Sequence, residues 1–161
     1  MTDSRPRICL FEPRIPQNTG NISRTCAAFN YKLDLIRPLG FSLEDKYLKR
    51  AGLDYWPFVD MNVHNSFSDY KKTIESSRII GFSRFSTENI IDFKFNSTDI
   101  LLFGREDNGL PKAISKECNY LLSIPMPGGV DNNNKGGVRS LNLSVACGIV
   151  IYKTCEHLKL Y

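Results

Sequence analysis

Five short apolar runs punctuate the chain, at residues 8–11, 33–36, 79–82, 100–103 and 121–124. They are close to continuous rather than alternating, the pattern of strands covered on both faces. Between them the apolar positions fall into helical spacing. Ile22, Cys26 and Phe29 predict a helix that follows a turn at 16–21, with Ser23, Arg24 and Thr25 near its start. Residues 44–51 predict a short charged helix that Gly52 stops. Residues 68–76 predict a polar helix with Tyr70 and Ile74 facing inward, and 111–118 another short helix. The aromatic stretch 54–59 is expected to be a short extended piece. Strands alternating with helices predict an α/β fold, a mostly parallel sheet flanked by helices. At 161 residues, one domain over 1–161 is the expectation.

The helix expected over 141–158 is apolar around its axis. Leu141, Leu143, Val145, Ala146, Cys147, Ile149, Val150 and Ile151 precede its first charge, Lys153. One sheet face covers only half of such a helix. A second copy of the chain covering the rest, a homodimer, is the expectation; the alternative is an ordinary deeply buried helix.

Composition narrows the setting. The chain is 42% hydrophobic and 24% charged, ordinary values for a globular protein. The net charge of +4 permits an acidic partner such as RNA without requiring one. Five cysteines without a C-x-x-C pair, and only two histidines, give no zinc pattern, so no metal is expected. Reduced, mostly buried thiols in a cytoplasmic protein are the expectation. The polar start, with Arg5 and Arg7, runs straight into a strand and does not read as a signal peptide. No apolar run approaches the roughly 20 residues of a membrane span.

Three polar clusters each follow a predicted strand: 18–24, 104–111, and the stretch 139–144 after a Gly/Asn-rich loop at 128–137. Ligands of open parallel sheets bind at the carboxyl ends of strands, so the clusters predict one shared site for a polar small molecule. Gly104 and Gly109 have the outer spacing of a phosphate loop, but Leu110 stands where its lysine must be. No G-x-G-x-x-G follows the first strand, and no G-x-S-x-G elbow is present. Phosphoryl transfer, dinucleotide redox chemistry and serine hydrolysis are therefore unsupported.

Taken together these stretches resemble the SPOUT-class RNA 2′-O-methyltransferases, in particular the small TrmL-like tRNA methyltransferases. The resemblance covers 10–13, 15–24, 50–56, 103–111, 124–126 and 140–144 in order along nearly the whole chain. It implies a C-terminal trefoil knot, a homodimer, S-adenosyl-L-methionine as methyl donor, and methylation of the ribose 2′-OH at the wobble cytidine or uridine of tRNA. Phe82, Gly104, Ile124 and Ser140 are then the expected cofactor-binding residues.

By the same resemblance Arg24 is the key catalytic residue; Glu106 and Asn142 are the candidates for fixing the arginine and the RNA. A guanidinium keeps its protons in a protein, so Arg24 is expected to orient the ribose and stabilise developing alkoxide rather than act as a base. Asn142 is equally suited to capping the last helix. Asn18, Lys46, Arg50 and Arg105 are the expected RNA contacts, Lys46 and Arg50 lying beside the aromatics Tyr55 and Trp56. A solvated charged face is the other reading of that patch. Two features depart from the family pattern: Arg105 replaces a frequent proline, and the loop between Met126 and Ser140 is longer. The competing function is a non-catalytic RNA-binding or assembly protein of the same fold.

Overall fold

The computed structural model describes residues 4–129 and 136–161, with no side-chain description at 52–54. Six parallel strands form one sheet among these residues, in the order β3-β2-β1-β5-β4-β6. They are β1 (Arg7–Phe11), β2 (Lys32–Ile36), β3 (Met61–His64), β4 (Ile79–Phe82), β5 (Ile100–Phe103) and β6 (Tyr120–Leu122). Every ladder among the described residues is parallel, as the continuous apolar runs require.

Alternate side chains of each strand build the two covered faces. Ile8, Leu10, Leu33, Leu35 and Leu101 pack with Ile22, Cys26, Cys147, Val150 and Ile151 from the first and last helices. Cys9, Phe11, Ile36, Ile100 and Leu102 pack on the other side with Phe67, Tyr70 and Ile74. On that second side Asp34 is fully buried within β2 and is satisfied from three directions. Arg7 pairs with it at 3.0 Å, His64 Nε2 lies at 3.1 Å, and the Tyr70 hydroxyl donates at 3.0 Å. A buried carboxylate is tolerable only with such partners.

The helices are α1 (Pro16–Phe29), α2 (Lys46–Gly52), α3 (Phe67–Lys71), α4 (Lys112–Ser115) and α5 (Leu143–Leu158). Four expectations change. The supposed turn at 16–21 is the first part of α1, with Pro16 at its start. Gly20 lies inside this helix and lets α2 pack close: an added Cβ would lie 2.5 Å from Ala51 Cβ and 2.8 Å from the Leu48 carbonyl oxygen. The expected extended piece at 54–59 is a 3-10 turn, Leu53–Phe58. The helix expected to reach residue 76 ends at Lys71, although Tyr70 and Ile74 do face inward. Strand β3 was not expected, because Met61-Asn62-Val63-His64 carries no continuous apolar run.

The end of β6 is held by a single loop. Ser83 donates its N–H to the Leu122 carbonyl, Ser123 donates to that of Glu88, and Ile90 donates to that of Ser123. The 83–90 loop thus brackets the chain before it returns to α5, which packs on α1.

Candidate active site

The carboxyl ends of β4, β5 and β6 meet the starts of α1 and α5 around a cavity of about 740 Å³. That volume lies within the range of small-molecule sites, about 300–1,000 Å³. Phe82, Gly104, Ile124 and Ser140, the expected cofactor residues, all line it. Phe82 stacks on Phe103 with ring centroids 4.6 Å apart, giving the cavity a flat apolar wall. Gly104 has no room for a side chain: a Cβ there would lie 2.1 Å from the Gly109 carbonyl carbon and 2.2 Å from Leu110 N. The loop between them closes on itself, Arg105 and Gly109 exchanging backbone hydrogen bonds of 3.1 and 2.9 Å. Gly109 turns the loop at a φ of +65°, a conformation that favours glycine.

The polar wall is a chain of three side chains. Glu106 accepts from the backbone N–H groups of Arg14 at 2.8 Å and Ile15 at 3.0 Å, and from Asn18 Nδ2 at 3.5 Å. It satisfies backbone donors at the start of α1, where Ile15 offers no side-chain cap. Asn18 in turn accepts through Oδ1 from Asn142 Nδ2 at 3.0 Å. The Asn142 Oδ1 accepts from Ser144 N at 2.8 Å and Val145 N at 3.4 Å, capping α5. Asn142 therefore caps the helix and faces the cavity at once.

Not every expected residue gathers there. Arg24 is not among the residues lining the cavity. It lies six positions beyond Asn18 on α1, exposed, with its guanidinium 4.6 Å from the Tyr55 ring centroid and Nη2 donating to the Tyr55 hydroxyl at 3.4 Å. Glu106 does not hold it; its described partners are Arg14, Ile15 and Asn18. Asn18, expected as an RNA contact, is 6% exposed and belongs to the inner wall. Arg105 lines the cavity but pairs with Glu12 at 2.5 Å and lies over Phe11. Lys46 and Arg50 are exposed on α2, whose start is capped by Asp45 Oδ1 accepting from Tyr47 N at 2.8 Å.

Sequence reasoning missed the loop after β4. Ser83, Arg84 and Phe85 line the mouth, and Phe85 is 78% exposed. An aromatic between polar residues directly after a strand was the available signal. Residues 130–135 of the long Gly/Asn loop lie outside the described residues.

A parallel α/β sheet with its cavity at the strand carboxyl ends, walled by backbone and amides, defines a small-molecule-binding domain. The model of the SpoU rRNA Methylase family matches residues 5–152. A putative tRNA (cytidine(34)-2′-O)-methyltransferase of Synechocystis sp. is 43% identical, covering 95% of this chain and 97% of that protein. One of Bacillus subtilis, also described as putative, is 42% identical over 91% and 89%. A solved structure concerned with the 2-OH methylation of C/U34 on tRNA superposes with a TM-score of 0.88, at 42% identity and 98% of both chains. The SpoU methyltransferase AviRb of Streptomyces viridochromogenes, solved with AdoMet, shares the fold at a TM-score of 0.84 and 22% identity, over 99% of this chain and 62% of that one. The chain belongs to the SpoU methylase family.

Proposed function

We propose that the protein transfers a methyl group from S-adenosyl-L-methionine to the ribose 2′-OH of the wobble nucleotide, cytidine or uridine, in the tRNA anticodon loop. The observation that carries this reading is the cavity uniting Phe82, Gly104, Ile124 and Ser140 with the Glu106–Asn18–Asn142 wall. Those residues suit the cofactor. The Phe82–Phe103 wall takes a flat base, and Gly104, where no Cβ fits, lets the Gly109–Leu110 backbone close tightly to shape the lining. S-Adenosylmethionine supplies an activated methyl group on its sulfonium.

The protein supplies position and charge. The hydroxyl oxygen must lie in line with the methyl carbon, so holding the ribose still lowers the barrier. Asn142 offers an amide fixed by both the helix start and Asn18. Arg24 donates to the ribose oxygen and stabilises the charge that develops there while a phosphate of the substrate takes the hydroxyl proton. Lys46, Arg50 and Arg105 meet phosphates, and the anionic RNA backbone draws them together.

The active unit is a homodimer in the cytoplasm. Its support is the apolar side of α5, where Val145, Ile149 and Tyr152 are 50%, 38% and 61% exposed in the single chain. Among the described residues no helix is long and apolar enough to cross a membrane, and no group of acidic, His or Cys side chains could hold a metal.

Incubation with labelled S-adenosylmethionine and unmodified tRNA, followed by mapping of ribose methylation, tests the proposal. Label at the wobble ribose is expected. A second reading, an RNA-binding protein without activity, is favoured by one observation: Arg24 stands outside the cavity lining. Cofactor and RNA binding with no label transferred would establish it instead.

A further inference from the structure

The loop leaving β4 carries a cation–aromatic pair that none of the roles above uses. Phe85 is 78% exposed, an unusual position for so large an apolar ring. The Arg84 guanidinium lies over one face of it, 4.3 Å from the centroid. Arg84 Nη1 also donates to the Arg139 carbonyl at 3.1 Å, tying this loop to the segment that enters the polar wall. The opposite face of the ring has no aromatic or cationic partner among the described residues.

The loop is held in place. Phe85 N donates to Ser83 Oγ at 3.3 Å, Ser86 N to the Ser83 carbonyl at 3.2 Å, and Ser86 Oγ to the Leu121 carbonyl at 2.5 Å. A ring on a braced loop is oriented before any ligand arrives, which lowers the ordering cost of binding. Both Arg84 and Phe85 line the mouth of the cavity that holds Asn18, Glu106 and Asn142. Neither belongs to the apolar groove along α5, which Ile90, Val145, Ile149 and Tyr152 line.

We infer that Phe85 is the stacking platform for the unpaired base whose ribose enters the cavity, with Arg84 bracing the ring from behind and adding positive charge for the neighbouring phosphate. This rests on the RNA-methyltransferase reading above. Three features select a nucleobase over an apolar partner. The ring carries a cation on one face, the Arg84 guanidinium, which is itself anchored on the Arg139 carbonyl. It stands at a cavity rim rather than on a broad apolar face. An open π-face beside a guanidinium is the combination by which single-stranded RNA is gripped. Stacking recognises any base, so the platform fixes the nucleotide while leaving cytidine and uridine equally acceptable.

The test is fluorescence of an anticodon stem–loop RNA carrying 2-aminopurine at the wobble position, with anisotropy of an end-labelled copy giving affinity. The wild-type protein is expected to quench the 2-aminopurine. Phe85→Ala should abolish the quench and weaken binding at least about fivefold. Phe85→Trp should restore both. Arg84→Ala should weaken binding and lower the salt-dependence slope by about one. Melting and sedimentation of each variant show whether fold and mass are kept. Wild-type quench and affinity in Phe85→Ala would overturn the platform and leave the methyltransferase reading standing. A changed oligomeric mass in that variant would assign Phe85 to a subunit interface and also overturn it. Failure of the wild-type protein to bind the stem–loop at all would bring down the parent reading with it.

Discussion

Asn142 donates from Nδ2 to Asn18 Oδ1 at 3.0 Å, joining two helix starts that lie 124 residues apart in sequence. The orientation of both amides follows from their neighbours. Asn18 turns its Nδ2 to Glu106, which as a carboxylate only accepts, and so presents Oδ1 to Asn142. Asn142 uses its own Oδ1 on the backbone of α5. Capping and facing the site are therefore two separable jobs of one side chain. Asn142→Asp keeps the cap but loses the donor, and sets a new carboxylate against Asn18 Oδ1. It should lower the melting temperature through that acceptor–acceptor contact while the helix start stays capped, and methyl transfer should fall by about tenfold or more, on the order of the loss of one hydrogen bond. Asn142→Ala should lose the same activity and in addition about 1 kcal/mol of stability.

Glu106 accepts from two backbone N–H groups ahead of α1 and from Asn18. Glu106→Gln leaves one oxygen for those donors and removes the charge at the helix start. A loss of about 1–2 kcal/mol is expected, read as a lower urea midpoint with unchanged slope. Turnover should fall too, since Asn18 is no longer held. An unchanged midpoint would show that the carboxylate carries no helix-capping role.

Arg24 should matter for turnover and not for the cofactor, because it lies outside the cavity lining and rests on Tyr55. Arg24→Ala is expected to bind S-adenosylmethionine with wild-type heat and affinity in calorimetry, and to transfer no measurable methyl. Arg24→Lys should not rescue it, because an ammonium lacks the planar fork of donors. Full activity in Arg24→Ala would remove the residue from the mechanism.

Ile149 sits 38% exposed on the apolar side of α5, beside Val145 and Tyr152. Ile149→Glu puts a charge into the proposed subunit contact, where an unpaired buried charge is strongly unfavourable. Sedimentation should show the dimer replaced by single chains. A native mass in that variant would place the contact elsewhere.

Burial pushes the Cys9, Cys26 and Cys147 thiols well above the ordinary thiol range, Cys118 to about 11, and the Tyr31 hydroxyl to about 12. The thiolate is the reactive form, so the native protein should react slowly with iodoacetamide at pH 8, and the three fully buried thiols only after unfolding. The same shifts have a sign for stability. These groups keep their protons in the folded state above the pH at which the unfolded chain loses them. Their contribution is complete below about pH 9 and is lost as pH rises towards 11 and 12. The urea midpoint should fall steadily from pH 8.5 to 11.5, and a flat profile over that window would contradict the assignment.

Much of the architecture was written in the chain. The runs at Ile8, Ile79 and Ile100 read as buried strands because both faces of those strands are covered, and they are. What failed to read was set by contacts far away in sequence. Asn18-Thr19-Gly20 has turn chemistry yet is helical, and its glycine serves the close approach of α2. Strand β3 pairs at the sheet edge, so its alternate positions carry little apolar signal. At the site, Phe82, Gly104, Ile124 and Ser140 gather as the family resemblance implies. The partners of Glu106 and the resting place of Arg24 on Tyr55 did not follow from it, since both depend on how α1 docks.

The loop from Gly104 to Gly109 separates what must stay from what can vary. Its ends are fixed by mutual hydrogen bonds and by the absence of space at Gly104, whereas Asp107 and Asn108 at its tip are exposed. For protein engineering this is a natural port. A library randomised at those two positions changes the rim of the cavity while the hydrogen-bonded ends of the loop keep its frame, so new preferences can be explored on a fixed scaffold.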